Sequence, residues 1–305
     1  MTGVALDVLL GGRIDAAERE AWWQALRAAA PQCRWHRDDA PFDRASIDVA
    51  VVANPVPGAL AALPKLRLIQ SLWAGVDKLL ADDTVPPAVP LARMVDPAMS
   101  SAMAETALWA VLGLHRHFFD YTEQQSRSQW QPHAQRRADE VNVLVLGTGH
   151  MGTSVAARLA AQGYRVATWR ASDGAPIAPQ LAAAQIVINL LPLTPSTRGL
   201  LDARLFATLP AGASVVNLAR GEHVVDADLL AALDSGHLHR AVLDVFHTEP
   251  LPGEHAFWRH PRVTVLPHVA ALTDERSAAV LVAANLRALA HGEPLAHLVD
   301  RSRGY

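Results

Sequence analysis

The chain has 305 residues, half of them hydrophobic, and a formal net charge of −3. That length suits two domains with sizeable cores, and the weak negative balance argues against a nucleic-acid partner. The single cysteine, Cys33, excludes an intramolecular disulfide and a structural zinc site of several thiolates.

In chain order, Val4–Leu10 reads as a first strand. Met1–Leu10 is apolar, but it lacks a positively charged start and contains Asp7, so a signal peptide is not expected. Apolar runs elsewhere fall far below the roughly 18 residues of a membrane span, so a soluble, reducing, cytoplasmic setting is expected. Ala16–Ala29 predicts a helix with Trp22, Trp23 and Leu26 near one face. Val49–Ala53, Arg67–Leu72 and Pro90–Met94 predict three further short strands. Such alternation favours a parallel sheet covered by helices.

Asp96 and Pro97 then supply a cap and a first-turn residue for a long helix, expected to run through Ala102, Ala107, Val111 and Leu114 towards Phe119. The polar stretch Gln124–Glu140, which contains Trp130, reads as a link between two lobes. In the second lobe, strands are expected at Val141–Leu146, Tyr164–Trp169, Ile186–Leu191, Ser214–Leu218, Ala241–Val245 and Val263–Leu266. Met151–Gln162 predicts a helix, and the pattern is that of a doubly wound dinucleotide-binding fold. The apolar helix Asp274–Ala290 is expected to return to the first lobe.

The first strand of the second lobe runs directly into Gly147-Thr148-Gly149-His150-Met151-Gly152 and then into a helix. This is G-x-G-x-x-G in the context that gives it meaning. Gly147 permits the tight turn, Gly149 the approach of a pyrophosphate, and Gly152 close helix–strand packing. The first helical residues, His150 and Met151 among them, offer backbone N–H groups to the anion. At the end of the next strand an acidic residue would bind the ribose 2′-hydroxyl of NAD. Here the residues are Thr168-Trp169-Arg170-Ala171-Ser172. Arg170 can pair with a 2′-phosphate and Ser172 can donate to it, so NADPH is expected in preference to NADH. The plainer reading of Arg170 is a solvated surface arginine.

Three later segments close strands of the same sheet: Asn217-Leu218-Ala219-Arg220-Gly221, Leu243-Asp244-Val245-Phe246-His247-Thr248-Glu249-Pro250, and Leu266-Pro267-His268-Val269-Ala270-Ala271. Ligands of such sheets bind beyond the carboxyl ends of the strands, so one Arg, one Glu and one His can converge there. Taken singly, Arg220 could be a surface ion-pair residue, Glu249 a turn residue and His268 a core histidine. Their order, together with the glycine turn, favours a catalytic set.

With these motifs the chain resembles the D-isomer-specific 2-hydroxyacid dehydrogenase family, and within it the glyoxylate/hydroxypyruvate reductase A branch. The resemblance extends to Leu191-Pro192-Leu193-Thr194-Pro195-Ser196-Thr197-Arg198-Gly199-Leu200, which looks like the family's cofactor-lining loop. It also includes Ala104-Glu105 in the long helix and the tail Val299–Tyr305. It implies an α/β chain of two doubly wound parallel-sheet domains with a cleft between them. One would be a flavodoxin-like substrate domain, 1–97 and 276–305, and the other a Rossmann cofactor domain, 98–275, beginning with an inter-lobe, dimerisation helix.

The resemblance also implies roles. Arg220 would pair with the carboxylate of a small 2-oxo acid such as glyoxylate or hydroxypyruvate, and polarise its ketone. His268 would donate the proton, with Glu249 favouring its charged form. Leu191, Pro192, Thr197, Leu218, Ala219 and Asp244 would line the cofactor. Ser71–Asp77 resembles the family's substrate loop, in which the N–H groups of Ala74, Gly75 and Val76 would hold the substrate carboxylate. Trp73 would restrict the site to small acids, its alternative being a core tryptophan. No cluster with metal-ligand spacing stands out, and none is needed when Arg220 and His268 supply electrophilic help. A homodimer is expected, as is closure of the lobes over the substrate. Two alternatives remain: a D-lactate-type dehydrogenase of a larger 2-oxo acid, and a nicotinamide-sensing interaction protein.

Overall fold

Apolar segments of four to six residues form most of the strands, and each is buried at nearly every position. In the computed structural model, which describes residues 5–170 and 173–304, the strands are β1 (Asp7–Gly12), β2 (Arg34–Arg37), β3 (Val49–Ala53), β4 (Leu68–Ser71), β5 (Leu91–Ala92), β6 (Asn142–Leu146), β7 (Arg165–Trp169), β8 (Ile186–Asn189), β9 (Ala213–Asn217), β10 (Leu238–Leu243) and β11 (Val263–Val265). The helices are α1 (Ala16–Ala29), α2 (Asp77–Leu80), α3 (Pro97–His115), α4 (Phe118–Ser126), α5 (His150–Ala161), α6 (Ala178–Ala183), α7 (Ala203–Thr208), α8 (Asp226–Asp234) and α9 (Glu275–His291). The chain divides into two units, one comprising residues up to Ala98 and from Thr273 onward, the other Met99–Leu272.

The first unit holds a five-stranded sheet ordered β2-β1-β3-β4-β5, with every pairing parallel. α1 packs against α9. Asn285 of α9 joins the sheet through a buried hydrogen bond, its Nδ2 donating to Gln70 Oε1 at 2.7 Å. The C-terminal tail bridges β5 antiparallel, Ala92 to Leu298, and Val299 N donates to Leu91 O at 2.8 Å. Tyr305, like Val4 of the expected first strand, lies outside the described residues.

The strand β2 departs from the sequence reading, which leaves Arg34-Trp35-His36-Arg37 unassigned. It is an edge strand whose polar side chains are satisfied across the pair. Arg34 makes a two-pronged ion pair with Asp7, and His36 Nε2 lies 2.9 Å from Asp7 Oδ1. A second departure is the long helix. Asp96 does cap it, accepting from Ala98 N at 2.8 Å. But α3 stops at His115, and His117 adopts φ 60°, a left-handed conformation that ends one helix and starts another. Part of the expected polar link is therefore helix α4.

The second unit holds a six-stranded parallel sheet ordered β11-β10-β9-β8-β6-β7. Counted from each unit's own first strand, both sheets run 2-1-3-4-5, the second adding one strand. The order reverses beside the first strand, at the switch point where such folds bind ligands. Successive side chains of a strand face opposite ways, and both faces here are covered. Leu144, Leu146, Val187, Val215 and Leu243 enter one core cluster, while Val143, Val145, Ile186, Ile188 and Val216 enter another with Met103, Ala107 and Val111 of α3. Burial on both sides explains the unbroken apolar runs. Among the described residues no helix is long and apolar enough to cross a membrane.

Candidate active site

The strands of the second sheet finish in one row. Across it, Trp169 pairs with Leu146, Leu146 with Asn189, Asn189 with Asn217, Asn217 with Leu243, and Leu243 with Val265. The sequence-predicted site residues of this unit that are described lie in the segments leaving that row.

The glycine turn leaves β6. Gly147 has φ 96°, a conformation that suits glycine, and its N–H donates to Trp169 O at 2.8 Å. A Cβ on Gly152 would collide with the Gly147 carbonyl, so helix and turn touch through bare backbone. A Cβ on Gly149 would meet nothing within 4 Å, so space remains beside that backbone. Gly149 is the N-cap residue of α5, no side chain caps the helix, and its first turn carries no acid. The turn thus fits a diphosphate in shape and in partial charge.

Arg170 follows β7 and lies against this turn. Its Nε donates to Thr148 Oγ1 at 2.6 Å and its NH2 to Thr148 O at 3.2 Å. Ser172 lies outside the described residues. The loop after β8 is tied up internally: the Thr197 hydroxyl donates to Pro192 O at 2.7 Å and accepts from Thr194 N at 2.9 Å. Thr197 is buried, so its hydroxyl shapes the loop that carries Leu191 and Pro192.

Two residues beneath these loops were not singled out from the sequence. Asn189 and Asn217 are fully buried and face one another, Asn189 Nδ2 donating to Asn217 Oδ1 at 3.0 Å. Asn189 Oδ1 accepts from Leu191 N, and Asn217 Oδ1 from Ala219 N, each at 3.2 Å. Asn217 Nδ2 donates to Arg220 O at 2.8 Å. The available signal was an asparagine directly after an apolar pair at the close of each of two strands, Ile-Val-Ile-Asn and Ser-Val-Val-Asn. A buried amide there must have partners, and these partners are the site loops. His223 is the third such residue. It is buried, with Nδ1 3.2 Å from Arg220 O and Nε2 3.3 Å from Pro192 O. Burial pushes its pKa below the usual histidine value.

Arg220 begins the turn after β9 and its NH1 donates to Ala219 O at 2.6 Å. Any Cβ on Gly221 would strike the backbone of Phe246 and His247, so this turn lies directly on the segment after β10. There Glu249 accepts from Phe246 N at 2.9 Å through Oε1, and its Oε2 lies 2.8 Å from His268 Nδ1. Burial works against the Glu249 charge, but the bonds from His268 and Phe246 and the Arg220 charge outweigh it, holding the carboxyl below its ordinary value.

His268 itself has φ 56°. Asp244, buried at the end of β10, holds that strained position: its oxygens accept from Val269 N at 2.8 Å and Ala270 N at 3.0 Å. Burial raises the Asp244 pKa against the lowering effect of those two bonds. His247 is engaged elsewhere, its Nε2 2.9 Å from Val224 O. The arrangement therefore joins a guanidinium, a carboxylate and an imidazole. The imidazole keeps Nε2 for a proton transfer once Nδ1 is committed to Glu249.

In the first unit, the loop after β4 is braced by Ser71. Its Oγ donates to Trp73 O and accepts from Trp73 N, both at 3.0 Å. Trp73 meets Trp22 edge-on at 6.4 Å between ring centroids and is half-buried. The N–H groups of Ala74, Gly75 and Val76 donate to no acceptor among the described residues.

Comparison with known proteins gives a concordant picture. Residues 108–270 match the model of the D-isomer specific 2-hydroxyacid dehydrogenase NAD-binding domain. A glyoxylate/hydroxypyruvate reductase A of Serratia proteamaculans is 42% identical over 305 residues, covering 94% of this chain and 96% of that one. A D-isomer specific 2-hydroxyacid dehydrogenase of Xanthobacter autotrophicus, solved with NADPH and MES, superposes with a TM-score of 0.93 at 36% identity, covering 99% and 100%. An NADPH-dependent glyoxylate/hydroxypyruvate reductase of Sinorhizobium meliloti, solved with NADP and sulfate, gives 0.90 at 34%, covering 98% and 100%.

Proposed function

The chain belongs to the D-isomer specific 2-hydroxyacid dehydrogenase family, an NAD(P)-dependent class, and from that premise we propose that it is an NADPH-preferring reductase of small 2-oxo acids such as glyoxylate and hydroxypyruvate. The observation that carries this reading is the His268–Glu249 bond at 2.8 Å, formed where the Arg220 charge also acts.

Gly147, Gly149, His150, Met151 and Gly152 would hold the cofactor's diphosphate, with Leu191, Pro192, Leu218, Ala219 and Asp244 around the rest. NADPH, when bound, would supply the hydride that reduces the 2-oxo carbon. Arg220 pairs with the substrate carboxylate and draws electron density from the ketone oxygen. His268 gives its Nε2 proton to that oxygen, yielding the 2-hydroxy acid. Glu249 orients the imidazole through Nδ1 and favours its charged form. The amides of Ala74, Gly75 and Val76 bind the carboxylate, and Trp73 selects for small acids. Exclusion of larger 2-oxo acids separates this reading from a D-lactate-type enzyme.

Arg170 supports the NADPH preference, because it sits on the glycine turn and no acid stands at the end of β7. The 2′-phosphate of NADPH would find the Arg170 cation there, in competition with Asp173, whose Oδ1 lies 4.0 Å from Arg170 Nε. We also propose a homodimer, supported by the exposed aromatic residues Trp109, Phe118 and Trp130, the last 99% exposed. Light scattering at micromolar concentration tests it, and a monomeric mass refutes it.

Steady-state kinetics with NADPH and NADH over glyoxylate, hydroxypyruvate, pyruvate and phenylpyruvate test the assignment. The expected result is a higher kcat/KM with NADPH than with NADH, and with glyoxylate and hydroxypyruvate than with phenylpyruvate. A cofactor ratio below one, or a preference for phenylpyruvate, overturns the corresponding part.

A further inference from the structure

Apart from the residues of that site, the start of α4 meets the start of β10. His117 immediately precedes α4, and its side chain makes no capping bond to the helix. Instead its Nδ1 lies 2.8 Å from Asp120 Oδ2. His239, the second residue of β10, brings its Nε2 to 3.2 Å from the same oxygen. The three ligand-capable atoms lie within 4.8 Å of one another, and all three residues are half-buried.

Two surrounding features set the geometry. The other Asp120 oxygen accepts from Arg240 Nε at 2.8 Å, and Arg240 NH2 donates to Glu123 Oε2 at 2.9 Å. Arg240 is buried and its NH1 is held by Pro261 O at 2.9 Å. A fixed guanidinium thus locks the carboxylate so that Oδ2 faces two imidazoles. The His117 backbone, at φ 60°, is in a sparsely populated region for a bulky residue. Such positions persist only where their surroundings over-determine them, and they recur at ligand clamps.

We propose that His117 Nδ1, Asp120 Oδ2 and His239 Nε2 form a binding site for a divalent cation of the zinc type, with solvent completing the coordination. Zinc takes nitrogen and oxygen ligands at about 2.0–2.2 Å, which places neighbouring ligand atoms of a tetrahedron roughly 3.3–3.5 Å apart. The observed spacings of 2.8 and 3.2 Å need only a slight opening to reach this. Two imidazoles and one carboxylate suit a borderline ion, whereas calcium and magnesium favour all-oxygen sets. Asp120 supplies the one anionic ligand, while Glu123 is paired both with Arg240 and with Arg127, whose NH2 lies 2.7 Å from Glu123 Oε1. The Arg240 bond to the non-ligating oxygen is the kind of outer contact that fixes a ligating carboxylate. The ion would fasten the α3–α4 break to the sheet, through residues that hydride and proton transfer do not use.

The test uses the full chain after dialysis against a chelator. It is titrated with zinc alone by calorimetry, and with cobalt alone while visible absorption is followed. The expected result is one ion per chain with a micromolar or tighter Kd, and cobalt bands of tetrahedral intensity. His239→Gln and His117→Gln keep polar side chains there, and each is expected to weaken binding by more than about tenfold, the scale on which even an outer partner acts. His268→Ala, which removes an imidazole elsewhere, is expected to leave the Kd unchanged. Melting curves in chelator show that the variants are folded, and zinc should raise the Tm of wild type and of His268→Ala but not of the His117→Gln/His239→Gln double variant. Absence of zinc and cobalt binding in the micromolar range overturns the proposal. So does binding that survives in the His117→Gln/His239→Gln double variant with its Kd unaltered.

Discussion

After β4 the chain offers backbone, the amides of Ala74, Gly75 and Val76, which donate to no acceptor among the described residues, behind the Ser71 brace. At the ends of β9 to β11 it offers side chains, and the turns that carry Arg220 and His268 are held from beneath by buried polar groups. Asn217 holds the Arg220 turn, Asp244 the His268 turn, and His268 and Glu249 hold each other. The contrast matches the work proposed for each element. Recognising a carboxylate needs donors at fixed positions, which the peptide plane supplies by itself. Moving a proton needs one rotamer and one tautomer, and those must be enforced by neighbours.

That contrast can be broken most directly at His268. His268→Ala is expected to lower kcat by about 100-fold or more with glyoxylate and NADPH, as loss of a general acid does. A near-normal kcat would remove the imidazole from the mechanism. Next in size is Arg170→Ala. Losing a charged hydrogen bond costs about 1.5–3 kcal/mol, so KM for NADPH should rise roughly 10- to 100-fold while KM for NADH stays put. Equal effects on both cofactors would assign Arg170 to the glycine turn alone.

Asn217→Ala sharpens the comparison through stability. It strands the Ala219 amide and the Asn189 side-chain amide, at a cost of about 1–3 kcal/mol, and thermal unfolding should show a lowered Tm. In the first unit no comparable penalty is expected for Trp73→Ala on kcat. Its effect should appear as selectivity, with the phenylpyruvate to glyoxylate ratio of kcat/KM rising about tenfold. A loss of kcat without any change in that ratio would place Trp73 in the core alone.

The smallest effect is the pH dependence carried by Glu249. Its folded pKa is depressed below the ordinary 4.5. Its contribution to stability is therefore complete above 4.5 and is lost as pH falls through the folded value. Denaturant unfolding of wild type and Glu249→Gln over the acid range should show the two curves converging as pH falls below 4.5. Parallel curves would contradict the assignment of that charge.

Much of this was legible in the residues. Glycine spacing after an apolar strand, and Arg, Glu and His at later strand ends, point to the site because backbone conformation and strand direction are local properties. What stayed hidden depends on partners remote in sequence. Arg34–Arg37 looks nothing like a strand until Asp7 lies beside it. The break at His117 interrupts an otherwise continuous helical pattern, since left-handed backbone leaves no mark on composition. Asn189, Asn217 and His223 look ordinary until burial shows what their polar atoms hold. The His117, Asp120 and His239 set is split between a helix start and a distant strand, so no ligand spacing betrays it.

The most direct measurement is NADPH consumption by the purified chain with and without glyoxylate. The account predicts a loss of NADPH absorbance that requires the 2-oxo acid, saturates with it, and yields glycolate in equal amount. NADPH that stays unoxidised with glyoxylate, hydroxypyruvate and pyruvate alike would contradict it.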